Sequence, residues 1–144
     1  MTQEVVNDVR KELNKIDGSV FNNYERDINE CFDLSNHYDM EPKISFVHNR
    51  ARIYTYERGV CVYEYFTDDV DEVIFCILDI VIARMVQNMT WKRYADQEKG
   101  SLYYSDEVRQ YEKEVEEEMF SQLDNKYFNW YKSGCRWLFM NPKQ

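Results

Sequence analysis

The segment from Ile53 to Met85 constrains the fold more than any other part of this chain, and it reads IYTYERGVCVYEYFTDDVDEVIFCILDIVIARM. In its first half, side chains alternate as in β-strands on both sides of Arg58-Gly59. Glycine supplies the positive φ that a tight hairpin turn requires. An acidic stretch follows, and then an almost entirely apolar run. This order predicts an antiparallel hairpin that leads through an acidic cap into a buried central helix.

Three short strands are predicted from the alternation of side chains and from turn residues. They span about Ile44 to His48, Ala51 to Glu57 and Val60 to Phe66, with a first turn at Asn49-Arg50. A two-residue turn at Arg58-Gly59 would set three cross-strand pairs, namely Tyr54 with Tyr63, Tyr56 with Cys61, and Arg52 with Tyr65. The tyrosines then share one face, and the alternation leaves open whether that face is core or meets a partner.

Four helices are predicted from apolar residues that recur at spacings of three and four. They run from about Gln3 to Asp17, from Val20 to Leu34, from the Thr67-Asp68-Asp69 cap to near Gln97, and from the Ser105 cap to Ser133-Gly134. In the third of them Asp79 falls on an apolar face, so it needs a hydrogen-bonding partner. We therefore expect an α+β fold, a small antiparallel sheet packed against long helices, in a single domain that spans 1–144. The apolar tail Cys135 to Met140 is expected to dock on the core.

The charge balance narrows the classes of partner. The chain has a net charge of -9, so nucleic-acid phosphates would repel it. The longest apolar run, Val73 to Val86, is too short to span a bilayer, and the polar N-terminal helix is unlike a signal peptide. No zinc or CxxC spacing joins the four cysteines, which are expected to be free thiols in a reducing cytoplasm: Cys31, Cys61, Cys76 and Cys135.

No catalytic residue, cofactor or metal site is predicted. The two histidines, His37 in a polar loop and His48 at a strand end, have no local partner for nucleophilic catalysis. A cluster of four carboxylates has the composition of a hard-cation site but lacks the glycine and the ligand spacing of a calcium loop: Asp68, Asp69, Asp71 and Glu72. The helix dipole alone favours carboxylates at a helix start, so capping is the preferred interpretation.

A set of residues that spans a little over half of the chain matches a known pattern in order and spacing. It comprises Tyr54, Glu57-Arg58-Gly59, Thr67, Asp71-Glu72, Phe75, Asp79, Ala83 and the segment MFSQLDNKYFNWY from Met119 to Tyr131. With these residues the chain resembles the bacterial immunity protein 63 family of polymorphic toxin systems, over about Tyr54 to Tyr131. The arginine-rich stretch that this family has ahead of its last helix is reduced here to Arg93 and Arg109.

The resemblance implies a function by binding. Proteins of this family act in the cytoplasm, have no catalytic residues, and block a cognate toxin that is often a nuclease and therefore basic. An acidic inhibitor would be steered electrostatically onto such a toxin. A second class stays open, an acidic regulatory or nucleic-acid-mimicking protein that occupies a basic groove of its partner. An enzyme ranks third. Substrate clefts need polar groups that converge, and the sequence indicates none.

The predicted partner-binding surface is the tyrosine face of the hairpin and the acidic cap beside it: Tyr54, Tyr63, Tyr65, Asp68, Asp69 and Glu72. Tyrosines are common anchors of tight interfaces, and nearby carboxylates would speed encounter with a basic toxin. The competing interpretation places these tyrosines in the core. The acidic helix from Asp106 to Asp124, with its run of glutamates, would then be the next candidate. The identity of the toxin and the oligomeric state are not determined by the sequence.

Overall fold

The computed structural model describes residues 2–16, 24–35, 41–95 and 105–134. Within these ranges the chain forms five helices and a three-stranded antiparallel sheet, so the predicted α+β class is confirmed. The elements in chain order are α1 (Thr2–Leu13), α2 (Tyr24–Cys31), β1 (Lys43–Val47), β2 (Arg50–Glu57), β3 (Val60–Thr67), α3 (Val70–Arg93), α4 (Asp106–Ser121) and α5 (Asn125–Lys132).

Both turns of the sheet use two residues with positive φ. The second turn lies at Arg58-Gly59 as predicted, with φ of 51° and 80°. The first turn lies at His48-Asn49, with φ of 50° and 66°, so its predicted position at Asn49-Arg50 was wrong by one residue. Two consecutive positive φ values give the turn that best matches the twist of the flanking strands. The strands follow in the order β1-β2-β3.

We expect Gly59 to matter for its backbone conformation alone. A Cβ atom at this position would meet no heavy atom within 4 Å, so a larger residue would be strained only by the positive φ. Gly59→Val should lower the free energy of unfolding by about 1 to 3 kcal/mol, because β-branched residues strongly disfavour this region. Gly59→Asn should lower the free energy of unfolding by a smaller amount, since asparagine tolerates positive φ. Urea unfolding followed by circular dichroism measures both, and a Gly59→Val variant as stable as wild type would contradict the turn.

The central helix α3 begins at a side-chain cap and is buried on every side over its middle turns. Asp69 is its N-cap, and its carboxylate accepts a hydrogen bond from the backbone N–H of Asp71 at 2.9 Å. All residues from 73 to 82 are buried, and Asp79 is 0% exposed among them. Val70, the first residue of the helix, is 42% exposed.

Length and composition alone would allow α3 to cross a membrane. However, 72% of its most apolar window is buried inside the protein. Its neighbours include α1, α2, α4 and the two strands β2 and β3. These contacts give α3 the position of a core helix, around which the other elements are arranged.

The last predicted helix is divided in two. The apolar stripe runs on through Leu123 and Tyr127, both buried, but the backbone leaves the helix at Asp124, where ψ is 142°. The carboxylate of Asp124 accepts from the backbone N–H of Lys126 at 3.0 Å and thereby caps α5. The backbone N–H of Asp124 donates to Glu12 Oε1 at 2.7 Å. Aspartate readily competes with helical hydrogen bonds in this way, and a stripe of apolar residues does not reveal the interruption.

Other element boundaries differ modestly from those predicted. Helix α1 ends at Leu13 and not near Asp17, and α2 ends at Cys31 and not at Leu34. The predicted start of α2 near Val20 lies outside the described residues. Helix α3 ends at Arg93. Asp17, residues 36–40, Gln97 and the apolar tail from Cys135 to Met140 lie outside the described residues.

One face of the sheet closes the core. Ile44, Ala51 and Ile53 join the buried cluster of the helices, and each is at most 3% exposed. Phe46, on the same face, stacks on Phe32 just beyond α2 with the ring centroids 6.4 Å apart. The sequence pattern had left the core face of the hairpin undecided, and the structure assigns it to the face of Ile53.

Candidate protein-binding surface

A β-bulge in the hairpin overturns the predicted tyrosine face. The observed pairs are Tyr56 with Cys61, as predicted, and then Thr55 with Tyr63, Tyr54 with Glu64, Ile53 with Tyr65 and Arg52 with Phe66. The extra residue in β3 shifts every later pair by one, and a shift of one moves a side chain to the other face. Tyr54 therefore lies on the outer face, whereas Tyr63 and Tyr65 lie on the inner face.

Tyr63 and Tyr65 are turned toward the helices. Both are half-buried against the core cluster. The hydroxyl of Tyr65 donates to Glu72 Oε2 at 2.8 Å, which ties β3 to the first turn of α3. Burial raises the pKa of both tyrosines, and Glu72 raises that of Tyr65 further, so both are neutral near pH 7. Their geometry favours the competing interpretation, in which they are core side chains.

Tyr54 is covered as well, although it lies on the outer face. It is 3% exposed. The guanidinium of Arg52 lies 3.9 Å from the centroid of its ring, and the ring of Tyr56 meets it edge-on at 5.6 Å. Arg52 in turn pairs with Glu64 at 2.5 Å. Burial raises the pKa of Tyr54 above its ordinary value. None of the three predicted tyrosines is thus an exposed anchor.

The acidic cap performs the structural role that its position predicted. Thr67 Oγ1 accepts from the backbone N–H of Asp69 at 3.0 Å, and Asp69 caps α3. The carboxylate of Glu72 is engaged by Tyr65. The side chain of Asp68 is 77% exposed and pairs with Arg50 at 3.2 Å. Of the predicted partner-binding residues, only Asp68 and Asp69 are exposed.

Sequence reasoning missed a link between α3 and α5. Asp71 accepts hydrogen bonds from the hydroxyl of Tyr127 at 3.0 Å and from Lys126 Nζ at 2.9 Å. Burial raises the pKa of Tyr127, and Asp71 raises it further. Since these partners are more than fifty positions apart, no local pattern could indicate the contact. Asp71 therefore helps to fix the C-terminal helix on the core and does not belong to an open acidic surface.

Helix α4 carries the largest excess of negative charge, with seven carboxylates and two cations. Three of these carboxylates turn toward neighbouring helices. Glu112 accepts from Thr90 Oγ1 at 2.7 Å, Glu116 from the hydroxyl of Tyr131 at 3.2 Å, and Glu117 pairs with Lys132 at 2.7 Å. The other four are exposed, and together we call them the acidic ridge: Asp106, Glu107, Glu114 and Glu118. The glutamate run is therefore only partly a solvated face.

A polar cleft of about 510 Å³ lies between α2 and α3. Arg84 reaches across its floor and donates to Asp27 at 3.1 Å, Glu30 at 2.6 Å and Glu41 at 3.0 Å. Its side chain is 21% exposed. The sequence shows Arg84 only as a charge within an apolar run, and the fold assembles its three partners from separate segments. The cleft thus contains an ion-pair network that links α2, α3 and the segment before β1.

The groups that could carry chemistry are dispersed. Cys31, Cys61 and Cys76 are free thiols, and burial raises the pKa of Cys31 to about 12 and that of Cys76 well above its usual value. His48 is exposed in the first turn, and His37 lies outside the described residues. Within the described ranges, no three side chains of histidine, cysteine, aspartate or glutamate converge to hold a metal ion.

Comparison with protein-family models, curated proteins and solved structures gave no match for this chain. The resemblance to the immunity protein 63 family, which rests on the spacing of residues between Tyr54 and Tyr131, therefore stays a prediction.

Proposed function

We propose that this protein is an immunity protein, which binds a basic toxin domain and neutralises it. The observation that carries the proposal is the acidic ridge of α4. This single helix accounts for five of the nine net negative charges of the chain, and four of its carboxylates are exposed. The partner-binding role predicted for the hairpin tyrosines has little support from their burial.

The ridge has a regular geometry. Glu107, Glu114 and Glu118 are seven and four positions apart, spacings that bring side chains to the same side of a helix. With a rise of about 1.5 Å per residue, they extend over about 16 Å of the helix surface. A rigid row of this kind attracts a cationic surface over the range of the Debye length, and so favours rapid encounter with a basic protein.

Charge reversal on the ridge tests the proposal. The double variant Glu114→Lys, Glu118→Lys should lose protection of cells that express a cognate basic toxin domain, for which the adjoining genes are the first place to search. Association with that purified domain should slow by about tenfold or more and lose much of its salt dependence, because long-range attraction sets the encounter rate. Surface plasmon resonance at two salt concentrations measures this. Glutamate and lysine have similar helix propensities, so the helix should be preserved.

A matched control variant lies on α1. Glu4 and Asp8 are also exposed carboxylates four positions apart. Glu4→Lys with Asp8→Lys makes the same change in net charge at another surface. It should keep protection and most of the association rate. If both double variants protect equally well, the ridge is not the contact surface, and if the wild-type chain binds no such toxin domain, the proposed function is wrong.

The second candidate is a nucleic-acid mimic that occupies a basic groove, and the same row of carboxylates favours it. Glu112, Glu116 and Glu117 turn toward neighbouring helices, so their carboxylates do not add to the exposed row. The smaller number of exposed charges weakens this alternative. A mimic should displace DNA from its basic partner in a competition assay. An immunity protein that binds away from a nuclease active site should leave bound DNA in place.

A further inference from the structure

An aromatic side chain lies within the acidic ridge of α4. Tyr111 comes four positions after Glu107 and three positions before Glu114, so these three residues share one side of the helix. Both glutamates are exposed, and Tyr111 is half-buried. Carboxylates therefore flank the Tyr111 ring on both sides, each about one helical turn away. A ring in this position attracts a cation through its π-face and through the two carboxylates together.

The end of α3 holds the Tyr111 ring in place. Tyr94 meets this ring edge-on, with the centroids 5.8 Å apart and the planes at 79°. Tyr94 and Val108 form a small buried cluster, and Tyr111 packs against it. The hydroxyl of Tyr94 also lies 3.5 Å from Glu107 Oε1. Side chains that are fixed before binding lose little conformational entropy when a partner arrives, so Tyr111 has the properties of an interface anchor.

A guanidinium already lies on this ring. Arg93 is the last residue of α3 and is exposed. Its guanidinium carbon lies 4.7 Å from the centroid of the Tyr111 ring and 5.7 Å from that of Tyr94. The contact shows which chemical group the ring accepts. A cation–π contact at an exposed site is weak, and the negative end of the helix dipole favours a cation at this position without the ring. Arg93 can therefore give up the ring at little cost.

We propose that Tyr111, with Glu107 and Glu114, forms a subsite for an arginine side chain of a basic partner protein, and that Arg93 fills this subsite in the free chain. The inference rests on the proposed function, because the arginine would belong to the toxin domain. On binding, the partner's guanidinium stacks on the Tyr111 ring in place of Arg93, and its N–H groups donate to the two carboxylates. Arginine is favoured over lysine, since its planar and weakly hydrated guanidinium stacks on aromatic rings.

Two peptides of equal charge, fluorescein-labelled octa-arginine and octa-lysine, test this preference. Fluorescence anisotropy in about 0.15 M salt gives a dissociation constant for each peptide, and the ratio of the two constants is the readout. The ring contributes more to arginine binding than to lysine binding, so Tyr111→Leu should reduce the preference for octa-arginine about threefold. Tyr24→Leu changes another half-buried tyrosine, on α2, and should leave the preference unchanged. Thermal unfolding confirms that both variants fold.

A second pair of variants tests the displacement of Arg93. Arg93→Gln empties the subsite and should raise the affinity for octa-arginine about threefold more than that for octa-lysine. Arg109→Gln removes the same charge from an exposed residue of α4 and should raise both affinities equally. A preference that Tyr111→Leu leaves intact, or an equal gain for both peptides in Arg93→Gln, would overturn the proposal. If the preference depends on Tyr111 but the charge-reversed ridge still protects cells, the arginine subsite is supported and the proposed function is wrong.

Discussion

Replacement of Phe75 by alanine is expected to lower the free energy of unfolding by about 3 to 5 kcal/mol, the cost of removing a large aromatic side chain from a packed core. Phe75 is 0% exposed in α3. Its ring centroid lies 5.4 Å from that of Trp130, 6.1 Å from that of Phe120 and 6.4 Å from that of Tyr127. One side chain thus joins α3 to both C-terminal helices, and urea unfolding measures the loss.

Phe66 provides the comparison for this prediction, because it is the same residue type on the same domain but 39% exposed. Phe66→Ala should cost about 1 to 2 kcal/mol, since part of its surface stays in water and its removal leaves no closed cavity. The two variants should therefore differ clearly in their urea midpoints. Equal, small losses would mean that the aromatic cluster around Phe75 is not packed as described.

Replacement of Arg84 by methionine is expected to cost about 2 to 3 kcal/mol at pH 7. The change keeps much of the volume but leaves the carboxylates of Asp27, Glu30 and Glu41 together without their cation. Loss of one partner of a fully buried ion pair costs about 3 to 5 kcal/mol, and the partial exposure of this group reduces that figure. Arg10→Met, which removes an exposed pair with Glu25, should change the stability far less.

The pH dependence gives this prediction its sign. Burial raises the pKa of Asp27, and Arg84 opposes that rise. In Arg84→Met the guanidinium no longer lowers the pKa of Asp27, so this pKa rises further in the folded variant. The folded variant then binds a proton that the unfolded chain does not bind at the same pH. Its stability must then increase as the pH falls through the raised folded-state pKa. Unfolding measured between about pH 7 and pH 5 should show the difference from wild type shrinking. A constant or growing difference would contradict the assignment of Arg84 as their shared cation.

Local patterns predicted the elements of this fold well. Turn residues and alternation found all three strands, and the acidic cap with its apolar run found α3, because these signals depend only on neighbouring residues. The interruption at Asp124 was missed, since the apolar stripe continues across it. So was the bulge in β3, because nothing in VCVYEYFT marks which residue is extra.

The candidate site shows the same division. The capping role of Asp69 follows from its position before a helix, and it is confirmed. The predicted tyrosine face failed because a single extra residue in β3 moved Tyr63 and Tyr65 to the core side. The inward turn of Glu112 toward Thr90 depends on how α4 packs on α3. Contacts between distant segments of this kind are fixed by the whole fold and leave no trace in local periodicity.

The hydrogen bond from the backbone of Asp124 to Glu12 has a consequence for the order in which the chain matures. Its two ends are 112 positions apart, and Glu12 is 7% exposed in the finished fold. At about 5 to 20 residues per second, a ribosome needs on the order of ten seconds to deliver the second end after the first. Throughout that interval the apolar side of α1 is not yet fully covered by the segments on which it packs. A chaperone that shields nascent amphipathic segments would therefore be expected to raise the yield of this protein more than its size suggests.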